Sequence, residues 1–147
     1  GAEVSIFPGS RRTRVRQILS HGQPRELAVA GDSVTLVLAE DLDLSRGDLI
    51  ADAEKPPRET RAVDATLVWL GQEPLREGGR YLVQQGSRRA PARVTAAGAV
   101  ALNDIARASL ALHAPLFVDA YESVRATGAL ILIDEATNQT VAAGLVL

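Results

Sequence analysis

Neither cysteine nor methionine occurs in the 147 residues. Without cysteine there is no disulfide framework, no thiolate metal site and no cysteine nucleophile. The missing methionine, initiator included, suggests a processed or excised piece of something longer. Lysine occurs once, at Lys55, and no Gly-x-x-x-x-Gly-Lys-Ser/Thr stretch is present to cradle phosphates. Aromatic residues are only 3% (Phe7, Trp69, Tyr81, Phe117 and Tyr121), so a core must be built from Val, Leu, Ile and Ala. No apolar run approaches the ~20 residues that span a bilayer, and Gly-Ala-Glu-Val at the N-terminus has no signal-peptide layout. Together these absences fit a cytoplasmic protein with no membrane partner.

What is present is ordinary for a folded chain. Hydrophobic residues make up 46% and charged residues 23%, which excludes a disordered polyelectrolyte. The net charge of −2 gives no general pull toward nucleic acid and argues against an RNA-binding role.

The pattern is that of strands. Val4 and Ile6 alternate in residues 2–7, and Pro8-Gly9-Ser10 closes that run. Thr13 to Leu19 alternates again, with arginines on the side facing water. Ser33–Leu38 and Leu49–Ala51 follow, separated by the acidic loop 40–48. Asp52 to Arg61 is polar, carries Pro56-Pro57 and has no periodicity, which reads as a semi-extended linker. Beyond it come strands at Val63–Leu70, Arg80–Gln84 and Arg88–Thr95, with Gln85-Gly86-Ser87 as a hairpin turn. The last third holds apolar runs at Ala108–Leu112, Ala129–Ile133 and Val141–Leu147, with turn chemistry between them. That is the layout of a three-stranded meander. Leu102–Ala108 is the one stretch that could form a turn or two of helix. Regular short strands predict an all-β fold. The expectation is two small β-barrels in tandem, the first incomplete: residues 1–52, a linker at 53–61, and a second barrel at 62–147.

Chemistry-bearing clusters are scarce. His21 and His113 fall in different expected domains and lack the spacing of a metal pair. Glu40, Asp41, Asp43 and Asp48 lack the spacing of a calcium loop. Arg11, Arg12, Arg14 and Arg16 have no interleaved aromatics for base stacking and read as a solvated strand face. Arg46-Gly47-Asp48 reads as a turn in which Gly47 supplies permissive dihedrals.

Two stretches carry a family resemblance. Ala30-Gly31-Asp32-Ser33-Val34 with Ser45-Arg46-Gly47-Asp48-Leu49 resembles the second half of the β-barrel that follows the GTPase domain in translation-factor-type GTPases such as elongation factor Tu. Leu102-Asn103-Asp104-Ile105, Asp119-Ala120-Tyr121, Arg125-Ala126-Thr127-Gly128 and Thr137-Asn138-Gln139-Thr140-Val141 resemble one branch, the GTPase subunit of bacterial sulfate adenylyltransferase, including its form fused to adenylylsulfate kinase. Val63–Trp69 also matches the start of that subunit's third domain. Between Thr95 and Leu102 that family carries a longer polar segment than is found here.

The resemblance implies a parent enzyme that makes adenosine 5′-phosphosulfate from ATP and sulfate, coupled to GTP hydrolysis. It implies that GTP and Mg²⁺ belong to a GTPase domain absent from this chain, and that this chain binds no cofactor or metal and has no catalytic residue. The implied partners are that GTPase domain and the small catalytic subunit. Candidate contact residues are Asp119, Tyr121, Arg125 and Thr127, together with Asp41, Asp43 and Arg46. The alternative of a different class is a stand-alone β-barrel adaptor without enzymatic activity.

Overall fold

The computed structural model describes residues 1–147, and the chain divides into two compact units, Gly1–Pro56 and Pro57–Leu147. The first unit is a five-stranded antiparallel sheet of β1 (Glu3–Phe7), β2 (Arg11–Ser20), β3 (Gln23–Arg25), β4 (Thr35–Leu38) and β5 (Leu49–Asp52). β1 pairs with both β2 and β5, while β2 also pairs with β3 and β4. The alternation expected over Thr13–Leu19 is realised only in the first half of β2. There Thr13 and Val15 are buried while Arg12, Arg14 and Arg16 are exposed, but a register shift between Val15 and Gln17 leaves Gln17 exposed beside Arg16. The turn before β2 is left-handed at Gly9 (φ 94°), where a side chain would be strained. The sheet is not closed, and its hydrophobic burial is correspondingly thin. Ile6, Phe7, Val15 and Ala53 are buried, whereas Leu27 and Val29 remain 69% and 63% exposed.

The second unit is a closed barrel. Its strands are β6 (Arg58–Trp69), β7 (Gly79–Gln85), β8 (Arg88–Ala96), β9 (Ile105–Val118), β10 (Ala129–Ile133) and β11 (Thr140–Val146). Around the barrel they run β10-β11-β6-β9-β8-β7, and β7 pairs back onto β10. Closure leaves no exposed sheet edge. Period-2 alternation fills the interior. Val63, Ala65, Leu67 and Trp69 of β6 face Tyr81 and Val83 of β7, Ala92 and Val94 of β8, Leu110 of β9 and Leu132 of β10 in one buried cluster. Small residues let the barrel close tightly. A Cβ on Gly144 would lie 2.5 Å from Leu130 and 3.1 Å from Leu67.

Three expectations are corrected by this topology. The expected linker 53–61 is shorter, because Arg58–Arg61 already belong to β6 and Arg58, Glu59 and Thr60 pair with Val118, Phe117 and Leu116 of β9. The last third is not a meander. β10 and β11 form a hairpin, but β9 lies between β6 and β8, across the barrel from β10. The stretch from Leu102 is a tight turn leading straight into β9 rather than helix, with the Asp104 N–H donating to the Ala101 carbonyl and the Asp104 carboxylate accepting from the Ala101 N–H. The only helical turn is α1 (Arg125–Gly128).

Candidate functional site

Because β9 and β10 are not neighbours, residues 119–128 must cross one end of the barrel. They do so as a compact, hydrogen-bonded unit. The Ala120 carbonyl accepts from the N–H groups of Ser123 and Val124, and the Gly128 N–H donates to the Val124 carbonyl. The Tyr121 N–H donates to the Val146 carbonyl, tying the crossing to β11. The Thr127 hydroxyl donates to the Asp119 carboxylate at 2.6 Å. The Arg125 guanidinium lies 5.8 Å from the centroid of the Tyr121 ring, within cation–π range. Thus the four candidates Asp119, Tyr121, Arg125 and Thr127 are brought together on one element.

Two residues that the sequence did not single out hold that element down. Gln85, read from sequence as part of a turn, is the buried last residue of β7. Its amide NH₂ donates to the Phe117 carbonyl at 2.8 Å and to the Thr127 carbonyl at 2.6 Å. Gly128 is buried with its backbone against Tyr121; a Cβ there would meet the Tyr121 Cα at 2.4 Å and its N at 2.6 Å. Beside them Arg88 donates to the Pro115 carbonyl at 2.6 Å and stacks 4.6 Å over the Phe117 ring. A polar residue inside a strand run and a glycine after a polar turn were the available signals. Neither reveals its partner, which is distant in sequence. An open recess of about 340 Å³ adjoins the crossing, lined among others by Thr66, Tyr121, Glu122 and Leu145.

The remaining candidates, Asp41, Asp43 and Arg46, belong to the first unit and are all exposed. Their loop is ordered by a local turn: the Asp48 carboxylate accepts from the Ser45 N–H at 2.8 Å, and Gly47 adopts φ 98°. The Asp43 carbonyl accepts a long 3.5 Å contact from Arg11.

At another place on the barrel, Trp69 stacks edge-on against Tyr81 with ring centroids 5.7 Å apart, and its indole N–H donates to the Glu73 carbonyl. Arg76 lies over the Tyr81 ring and pairs with Asp134 at 3.1 Å. The Asp134 carboxyl is held below its ordinary value, first by the N–H groups of Thr137 and Ala136 and then by Arg76. These hydrogen bonds tie down the β10–β11 turn. They are structural and offer no proton-transfer pair. No group of three or more His, Asp or Glu side chains converges as a metal site would, and His21 and His113 are both exposed, one in each unit.

Comparison with known proteins gives this geometry a family. Residues 95–147 match the family described as GTP-eEF1A C-terminal domain-like. The whole chain superposes on the crystal structure of Sup35 complexed with GDP, with a TM-score of 0.83 over 99% of this chain and 40% of that one, at 18% identity. The fold is therefore that of the β-barrel region of translation-factor-type GTPases.

By sequence the chain is similar to sulfate adenylyltransferase subunit 1. It is 37% identical to that protein from Laribacter hongkongensis over 99% of this chain. It is 35% identical to the bifunctional enzyme CysN/CysC of Rhodopirellula baltica over 100% of this chain, and 35% identical to the bifunctional enzyme NodQ of Azospirillum brasilense over 99%. The chain spans about a third of the first of these relatives (34%) and about a quarter of the other two (25% and 26%). The aligned stretch of 161 positions exceeds the 147 residues here, so the relatives carry residues that this chain lacks.

Proposed function

We propose that this chain is the non-catalytic β-barrel region of the GTPase subunit of a sulfate adenylyltransferase, which activates sulfate with ATP to adenosine 5′-phosphosulfate. Its work is mechanical: it docks on the GTPase domain and on the small catalytic subunit and passes nucleotide state between them as rigid-body movement. The observation that carries this reading is the relationship over the full length of the chain to sulfate adenylyltransferase subunit 1. The clamped crossing 119–128 supports it, because a docking element is more effective when its side chains are fixed before the partner arrives. Asp119, Tyr121, Arg125 and Thr127 are the contact residues we assign to it, with Asp41, Asp43 and Arg46 as a second contact on the first unit.

GTP and Mg²⁺, which the family implies for the parent enzyme, do not fit the residues of this chain. Its single lysine is exposed at Lys55, outside any Gly-rich phosphate loop, and no carboxylates converge on a cation position. Both groups belong with the GTPase domain of the parent subunit.

Isothermal titration calorimetry of this chain against the small catalytic subunit tests the reading. A saturable heat with a defined stoichiometry is expected. Absence of both heat and a co-eluting complex would instead favour a stand-alone adaptor.

A further inference from the structure

Three neighbouring strands of the closed barrel, β7, β8 and β9, contain Arg80, Arg88, Arg89, Arg93, Arg107 and His113, and not one Asp or Glu. The alternation that buries Tyr81, Val83, Ala92, Val94, Leu110 and Leu112 inside the barrel sends Arg80, Arg89, Arg93 and His113 to its outer surface. Antiparallel register then sets Arg80 directly opposite Arg93. Such partners have Cβ atoms about 4.5–5.5 Å apart, and like charges in this relationship destabilise the sheet.

Nothing in the fold neutralises this pair. Neither arginine takes part in an ion pair or a side-chain hydrogen bond. Arg89 spends its Nε–H on the neutral Gln84 carbonyl oxygen at 2.8 Å. Asp64 lies beyond β9, on β6, where it accepts from Ser109 at 2.7 Å. A like-charge pair kept near the open end of the β7–β8 ladder, on a face without a carboxylate, is explained when an anion from outside completes it. The residues around it are apolar or small: Leu82 opposite Pro91, and Ala111 opposite Arg93.

We propose that the outer face of β7, β8 and β9 is a docking surface for an acidic polypeptide, with Arg80 and Arg93 closing as a pair on one of its carboxylates. Guanidinium groups match carboxylate geometry through parallel N–H···O bonds, which an ammonium cannot reproduce. The face is rich in arginine, has no lysine and has apolar flanks, which is the composition of a protein interface. Trp69 and Tyr81 point into the barrel, so no aromatic side chain is offered to stack nucleic-acid bases. Closure of the barrel removes strand addition as a route, so recognition must run through side chains. The surface is independent of the crossing 119–128 and of which protein supplies the acidic segment.

The test is fluorescence anisotropy of the whole chain with two labelled probes, a peptide of glutamates interspersed with leucine and a poly-uridine oligomer. The peptide should bind more tightly than the oligomer, and its binding should weaken as salt is raised. The double variant Arg80→Ala/Arg93→Ala should weaken it about tenfold or more, as expected for loss of charge-assisted hydrogen bonds, while Arg61→Ala on β6 leaves it unchanged. Arg93→Glu separates binding from folding. It converts the like-charge pair into an opposite-charge pair, so the melting temperature should hold or rise while peptide binding is lost. Failure of the peptide to bind, equal binding by the double variant, or preference for poly-uridine would each overturn the proposal.

Discussion

Thr127 donates a 2.6 Å hydrogen bond to Asp119 across the two ends of the segment that bridges β9 to β10. The bond closes the crossing on itself and fixes the Asp119 carboxylate in one orientation. Replacing Thr127 by Val keeps the shape and removes the donor. A loss of about 1–3 kcal/mol is expected for a partly buried carboxylate deprived of its partner, measured by urea denaturation. Thr127→Ser should recover most of it.

Gln85 is expected to matter more than its place beside a hairpin turn suggests. Its amide serves two carbonyls, those of Phe117 and Thr127. Gln85→Leu removes this donor from both, one bond buried and the other part-buried. It should cost about 2–4 kcal/mol, since loss of one such buried hydrogen bond costs about 1–3 kcal/mol and the part-buried one less. The effect should appear as a lower urea midpoint with an unchanged slope.

Gly128→Ala should be costly although alanine is the better helix former. The added methyl meets the backbone of Tyr121 at 2.4 Å rather than a flexible side-chain tip. Overpacking of this kind costs about 1–3 kcal/mol. Thermal unfolding followed by circular dichroism would show it, and an unchanged melting temperature would contradict the packing described.

These residues mark where the sequence stopped being readable. Strand positions were legible because burial on one side of a sheet imposes period 2. Val63, Ala65, Leu67 and Trp69 show it plainly, as do Thr13 and Val15 against their arginines. Pairing was not legible, because it depends on residues far away. β10 and β11 are joined by a short turn and pair as expected, whereas β9 finds β6 some forty residues earlier. Arg58, Glu59 and Thr60 lacked any alternation, since their strand character comes from pairing with the end of β9. Four candidate residues of the crossing were legible together because they lie within one short segment. Gln85 was not, because its partners are 32 and 42 residues away.

Acid should loosen the β10–β11 turn. The Asp134 carboxyl is depressed below its ordinary value of 3.8 by the N–H groups of Thr137 and Ala136 and by Arg76. A depressed carboxyl contributes stability that is fully present above the unfolded value and is lost as pH falls through the folded one. Unfolding free energies of the wild type and Asp134→Asn should therefore differ at neutral pH and converge below the ordinary value. A difference that persisted unchanged into acid would contradict this.

Docking through the crossing is the central claim, and hydrogen exchange by mass spectrometry tests it most directly. The chain is compared alone and with the small catalytic subunit. Slower exchange across residues 119–128 in the mixture, with the buried strand β6 unchanged, is the predicted result. A complex that forms while 119–128 exchanges as in the free chain, or no complex at all, would contradict it.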